Sequence, residues 1–182
     1  MTMQTHKPSS ERLALTTMQA PLLIEQLYLP DKPIANTGIL VTFTGPLDAS
    51  TFVEATRIVV SETDTLRIRL NMEGQSAYQE VVELSDYLVQ QVDFSSSTDP
   101  VAAADEWIEK HLWQTIIWNS FPLFQFTLIK LSDHRHLWLL KFNHLLIDGT
   151  GRLLLVKRIS EVYEALQNGR QPNIAGGATL AQ

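Results

Sequence analysis

The chain holds 182 residues, 45% of them hydrophobic and 19% charged, with a formal net charge of −6 and no cysteine. That length and composition suit one globular domain with a sizeable core and exclude a disordered chain. The acidic balance argues against nucleic acid and anionic lipid, which call for basic patches, and the lack of cysteine removes disulfides, thiolate metal sites and a thiol nucleophile together.

In chain order, Met1 to Arg12 is a polar arm without the apolar core of a signal peptide. No apolar run approaches the ~20 residues a membrane helix needs, so a cytoplasmic location is expected. Thr16 or Thr17 can cap a helix that reaches about Tyr28. Gly38 to Thr44 is strand-like, with Val41 and Phe43 on one face and Leu40 and Thr42 on the other. Gly45-Pro46 is a breaker. Asp48 or Ser50 opens a helix to about Ser61, with Phe52, Ala55 and Val59 on one stripe. Leu66 to Met72 and Ala77 to Val82 read as strands around a turn at Glu73-Gly74, and Leu88 to Phe94 as a weaker strand. The polar break Ser95 to Pro100 caps a helix to about Ile117.

The last third is the most regular. Leu123 to Leu131 alternates, with Phe124, Phe126 and Leu128 pointing one way and Gln125 and Thr127 the other. Ser132 to Arg135 is a polar turn, and His136 to Phe142 completes a β-hairpin. A helix runs from about Thr150 to Asn168, and Gly169 is placed to end it. Interleaved strands and helices with hairpins predict an α/β (α+β) sandwich, one mixed sheet flanked by helices.

Chemical interest concentrates between strand and helix, at Asn143-His144-Leu145-Leu146-Ile147-Asp148-Gly149. A histidine where a buried strand ends, followed four residues on by Asp-Gly, can present an imidazole at a cleft. The carboxylate can hold the turn, and Gly149 can adopt φ > 0 or admit a close approach of another chain. Spacing alone leaves His144 as either a structural or a functional group. Elsewhere, Asp133-His134-Arg135-His136 lies in a hairpin turn that splits neighbours across faces, against a metal site. His111 reads as a solvated helix residue, and the four tryptophans as packing groups. A Gly-x-Ser-x-Gly elbow and a Gly-x-Gly-x-x-Gly loop are both absent from the sequence.

The 143–149 segment resembles the His-His-x-x-x-Asp-Gly motif of condensation domains of nonribosomal peptide synthetases, within the chloramphenicol-acetyltransferase-like superfamily. Leu15-Thr16-Thr17-Met18-Gln19, Gly45-Pro46-Leu47-Asp48, Asp64-Thr65-Leu66-Arg67 and Pro122-Leu123-Phe124 resemble further segments of that family, in the family's order. The resemblance implies an N-terminal half-domain over residues 13–168, between an arm at 1–12 and a tail or linker at 169–182. The second half would supply the other wall of a substrate tunnel. It implies amide formation between acyl and aminoacyl thioesters delivered on phosphopantetheine arms of acyl and peptidyl carrier proteins, with no tightly bound cofactor and no metal. His144 takes the catalytic position, as general base or by stabilising the tetrahedral intermediate. Asn143 stands where the family has its first His, and Asp148, Gly149 and Arg67 support the motif, Arg67 as the expected ion-pair partner of Asp148. Two other readings fit the residues: a non-catalytic carrier-binding or interaction domain, and a coenzyme A-dependent acyltransferase completed by a second chain.

Overall fold

A computed structural model describes residues 12–84 and 87–173. The expected arm at 1–12, apart from Arg12, and the tail beyond residue 173 lie outside the described residues. The elements run β1 (Leu13–Ala14), α1 (Gln19–Tyr28), β2 (Asn36–Thr44), α2 (Ala49–Glu62), a 3-10 turn (Asp64–Arg67), β3 (Ile68–Glu73), β4 (Ser76–Val81), β5 (Gln90–Asp93), α3 (Pro100–Leu112), β6 (Phe124–Ser132), β7 (Arg135–Asn143) and α4 (Gly149–Gln167).

The larger sheet has strand order β2-β7-β6-β5. Its first two pairs are antiparallel, whereas β5 and β6 pair in parallel. That parallel pair needs a crossover, which α3 supplies. Period-two alternation divides the two faces of this sheet. Trp138, Leu140 and Phe142 of β7 and Phe124 and Phe126 of β6 join Phe52, Ala55 and Val59 of α2 and Leu155, Ile159 and Val162 of α4 in the main core. Leu137, Ile129 and Leu131 turn the other way and pack with Ala104 of α3. The result is three layers: α3, the sheet, then α2 with α4. The fully buried Trp138 sits edge-on to Phe52, with ring centroids 5.0 Å apart; such pairs contribute about 0.5–1.5 kcal/mol beyond their area.

The expected single sheet is in fact two. Chain leaving α2 closes the 3-10 turn, where Arg67 pairs with Asp64 at 2.5 Å. The β3–β4 hairpin then pairs with the short β1, in the order β1-β4-β3, and not with the larger sheet. Strand structure therefore begins at Ile68 and not at Leu66.

Local signals place most helix ends. Thr16 and Gln19 form a reciprocal capping box at α1: Gln19 N–H donates to Thr16 Oγ1 at 3.2 Å and Thr16 N–H to Gln19 Oε1 at 2.8 Å. Asp48 caps α2, and the Ser50 and Thr51 hydroxyls with their backbone N–H groups push its carboxyl down to about 2. Gly169, at φ 63°, ends α4 with Gly169 N–H on Leu166 O and Arg170 N–H on Ala165 O, a Schellman motif.

Helix α3 stops at Leu112, short of the expected Ile117, for a tertiary reason. Asn36 donates to the carbonyls of Leu112 (2.9 Å) and Gln114 (2.7 Å), and buried Lys141 donates to His111 O (2.7 Å) and to Gln114 O. The large sheet thus takes up the carbonyls with which the helix would have continued. His111 is not solvated: it is half-buried, its ring stacks on Trp107 with centroids 3.6 Å apart, and its Nδ1 lies 2.7 Å from Trp107 O.

Candidate active site

The site forms where β7 ends and α4 begins. Asn143, the last residue of β7, is fully buried. Its Nδ2 donates to Gln26 Oε1 at 2.7 Å and to Ile116 O at 2.8 Å, while its Oδ1 accepts from Leu145 N–H at 3.0 Å. One carboxamide therefore ties together α1, the segment after α3 and the turn itself. A group with two donors and an acceptor suits that position. Its backbone is also held, N–H to Leu123 O at 2.9 Å and C=O from Leu146 N–H at 3.0 Å.

His144 follows with a different exposure. Its backbone N–H is fixed on Ala35 O at 2.7 Å, and its side chain is exposed. The ring lines a cavity of about 690 Å³ bounded by α1, the end of α2, the 143–148 turn and the first turns of α4. Next to it, Leu145 and Leu146 are buried and anchor the turn in the core. Leu145 O accepts from Gln19 Nε2 at 2.9 Å, and that amide also donates to Gln79 Oε1 at 3.0 Å. The Leu-Thr-x-x-Gln segment thus has a physical role: its glutamine holds the turn that carries His144.

Asp148 is exposed and caps α4, accepting from Gly151 N–H at 2.7 Å. The expected Arg67–Asp148 ion pair is absent. Arg67 pairs instead with Asp64, three residues away and pre-aligned by the 3-10 turn. The Asp148 carboxylate is already committed to the α4 N-terminus, where the helix dipole favours it. Gly149 does not adopt the positive φ open to it. Its φ lies outside the left-handed region, and a Cβ there would meet the Arg152 side chain only at 3.6 Å. The close approach belongs to Gly151, where a Cβ would lie 2.8 Å from Ile147 Cγ1 and 3.2 Å from Asp148 Oδ1.

Three contributors were missed in the sequence. Gln26 lies on the buried α1 stripe with Gln19 and Leu23, and a polar residue at that stripe position was its only signal. Gly151 looked like an ordinary helical glycine. The third, the pair of Arg158 on α4 with Glu62 at the end of α2, 3.0 Å apart in the cavity lining, left no trace in local sequence.

A family model described as a condensation domain matches residues 9–176, nearly the whole chain. The chain belongs to the condensation-domain family. Among curated relatives, it is 30% identical over 173 residues to an isonitrile lipopeptide synthase of Streptomyces coeruleorubidus, covering 94% of this chain and 12% of the synthase. It is 29% identical to enterobactin synthase component F of Escherichia coli O157:H7, covering 89% of this chain and 13% of that protein. Among solved structures, the starter condensation domain of rhizomide synthetase RzmA superposes with TM-score 0.85 at 28% identity, covering 91% of this chain and 42% of that one. The first condensation domain of the calcium-dependent antibiotic synthetase does so with TM-score 0.85 at 29% identity, covering 92% and 40%. This condensation-family chain therefore spans about two-fifths of the solved domains it matches. The mixed sheet flanked by helices is the expected half-domain architecture, with the second, smaller sheet added.

Proposed function

We propose that the chain is the N-terminal half of a condensation domain and that His144 is its catalytic residue. The substrates in this reading are an acyl thioester on a donor carrier's phosphopantetheine arm and an amine held by an acceptor carrier. The amine nitrogen attacks the thioester carbonyl carbon, the carbon–sulfur bond breaks, and the proton lost by nitrogen ends on the departing thiolate. An imidazole can take that proton and pass it on, or hold the tetrahedral intermediate by a hydrogen bond. Asn143, Gln19 and Asp148 act through the turn and not on substrate, so they are positioning residues. A free α-amine with a pKa of about 8 is already partly neutral near pH 7, so orientation contributes alongside proton removal.

One observation carries this reading. Among the polar groups of the 143–148 turn, the Asn143 amide and the Asp148 carboxylate are engaged within the protein, while the His144 ring is exposed at a cavity. In a complete condensation domain with both carriers loaded, His144→Ala is expected to slow single-turnover amide formation by about 10²–10⁴-fold. Near-full rate in a well-folded variant would remove the catalytic role and leave a carrier-binding domain. A coenzyme A thioester as donor is a second reading. It is supported by a single-residue mutant of the rhizomide starter condensation domain, solved in complex with C8-CoA. Running the same assay with carrier-bound and coenzyme A-bound donors separates the two.

A further inference from the structure

Two backbone carbonyls outside the 143–149 segment hold the turn that carries His144. Ile116 O accepts from Asn143 Nδ2 at 2.8 Å, and Ala35 O accepts from His144 N–H at 2.7 Å. Asn36, the first residue of β2, follows Ala35 and stands opposite Asn143 in the β2–β7 register. Its carboxamide donates to Leu112 O at 2.9 Å and to Gln114 O at 2.7 Å, and its Oδ1 accepts from Ile116 N–H at 3.2 Å. Three bonds from one side chain therefore fold residues 112–116 against β2 and aim the Ile116 carbonyl at Asn143. Ile116 and Asn143 are both buried, so the bond between them is costly to leave unmade.

Resting on the reading of His144 as the catalytic residue, we infer that Asn36 is a further positioning residue, which sets the place of the His144 ring through Ile116 and Asn143. The position calls for two donors and an acceptor, the pattern of a carboxamide. An aspartate would set a carboxylate against two carbonyl oxygens. Asn36 lies outside the cavity lining, so it acts on the imidazole and not on substrate. Removing its carboxamide frees residues 112–116 but leaves the Ala35 bond to His144, so the turn loosens without being lost. Small errors in placement are felt strongly, since a shift of about 1 Å can cost about 10²-fold in rate.

The first test is NMR of the histidine rings in this chain. In Asn36→Ala the His144 signals should shift or broaden, while those of His134, at the other end of β7, stay in place. No condensation step is involved, so this outcome is separate from that of the His144→Ala assay. The second test places the variant in a complete condensation domain containing this chain. Single-turnover amide formation should slow about tenfold, with the half-saturating carrier concentration unchanged. Asn36→Ser, which keeps one donor and one acceptor, should fall between the two and serves if Asn36→Ala does not fold. Adding Asn143→Ala to Asn36→Ala should cost little beyond the larger single loss, because both break one connection. Leu131→Ala, in the core between α3 and the large sheet, should destabilise the fold yet keep the rate of the folded fraction. Unmoved His144 signals or an unchanged rate overturn the inference. Multiplied losses in the double variant, or an equal slowing in Leu131→Ala, overturn it as well.

Discussion

Asn143 and His144 are adjacent, but the structure buries one completely and exposes the other. Asn143→Ala should therefore act on stability. Each buried partner left unpaired, at Gln26, Ile116 and Leu145, costs about 1–3 kcal/mol. Denaturant melts should show the loss, while the folded fraction keeps far more activity than His144→Ala; an unchanged midpoint would contradict the burial assignment. Lys141 gives a pH prediction. Burial lowers its amine from 10.5 to about 8. Between those values the unfolded chain holds a proton that the folded chain has released, so stability should rise as pH increases from about 8 towards 10.5 and fall back as pH drops. Thermal melts across that range should show the rise in the native chain, and Lys141→Met should flatten it. The burial of Lys141 was not legible in the sequence at residue scale. Its burial depends on the carbonyls of His111 at the end of α3 and of Gln114 just beyond it.

At the scale of the element, α4 carries the two glycines that separate motif from mechanics. Gly151→Ala should destabilise by about 1–3 kcal/mol, because its Cβ must displace Ile147 or the Asp148 cap. Gly149→Ala should be neutral or stabilising by up to about 1 kcal/mol, since φ is unremarkable there and the nearest atom is 3.6 Å away on a flexible arginine. Urea melts of the two variants check this pair; equal losses would return the special role to Gly149. The start of α4 was read at about Thr150, one residue from its place at Gly149, and its end from Gly169, because helix ends are set by bonds between near neighbours. The end of α3 was not, because its last carbonyls are taken by Asn36 and Lys141, distant in sequence.

At the scale of the molecule, a complete three-layer core coexists with a site bounded on the sides that this chain can supply. The chain spans about two-fifths of the solved domains that resemble it. It should therefore unfold in one cooperative transition yet show no condensation turnover with both carriers loaded. Product formation at the rate of a complete domain would refute this and point to a homodimer that closes the site.

The sequence by itself determined the order of most elements, the faces of β6 and β7, the candidate caps at Thr16 and Asp48, and the strand–turn–helix segment that carries His144. Those features follow from period, capping chemistry and motif order, which act over a few residues. The tertiary structure alone decided that the strands divide into two sheets, that Arg67 pairs with Asp64 and that Asn143 is bound to Gln26. It also decided that an aliphatic cavity opens beside His144. Each of these depends on which distant groups arrive at the same place, and a buried polar group takes the partner that packing brings within reach.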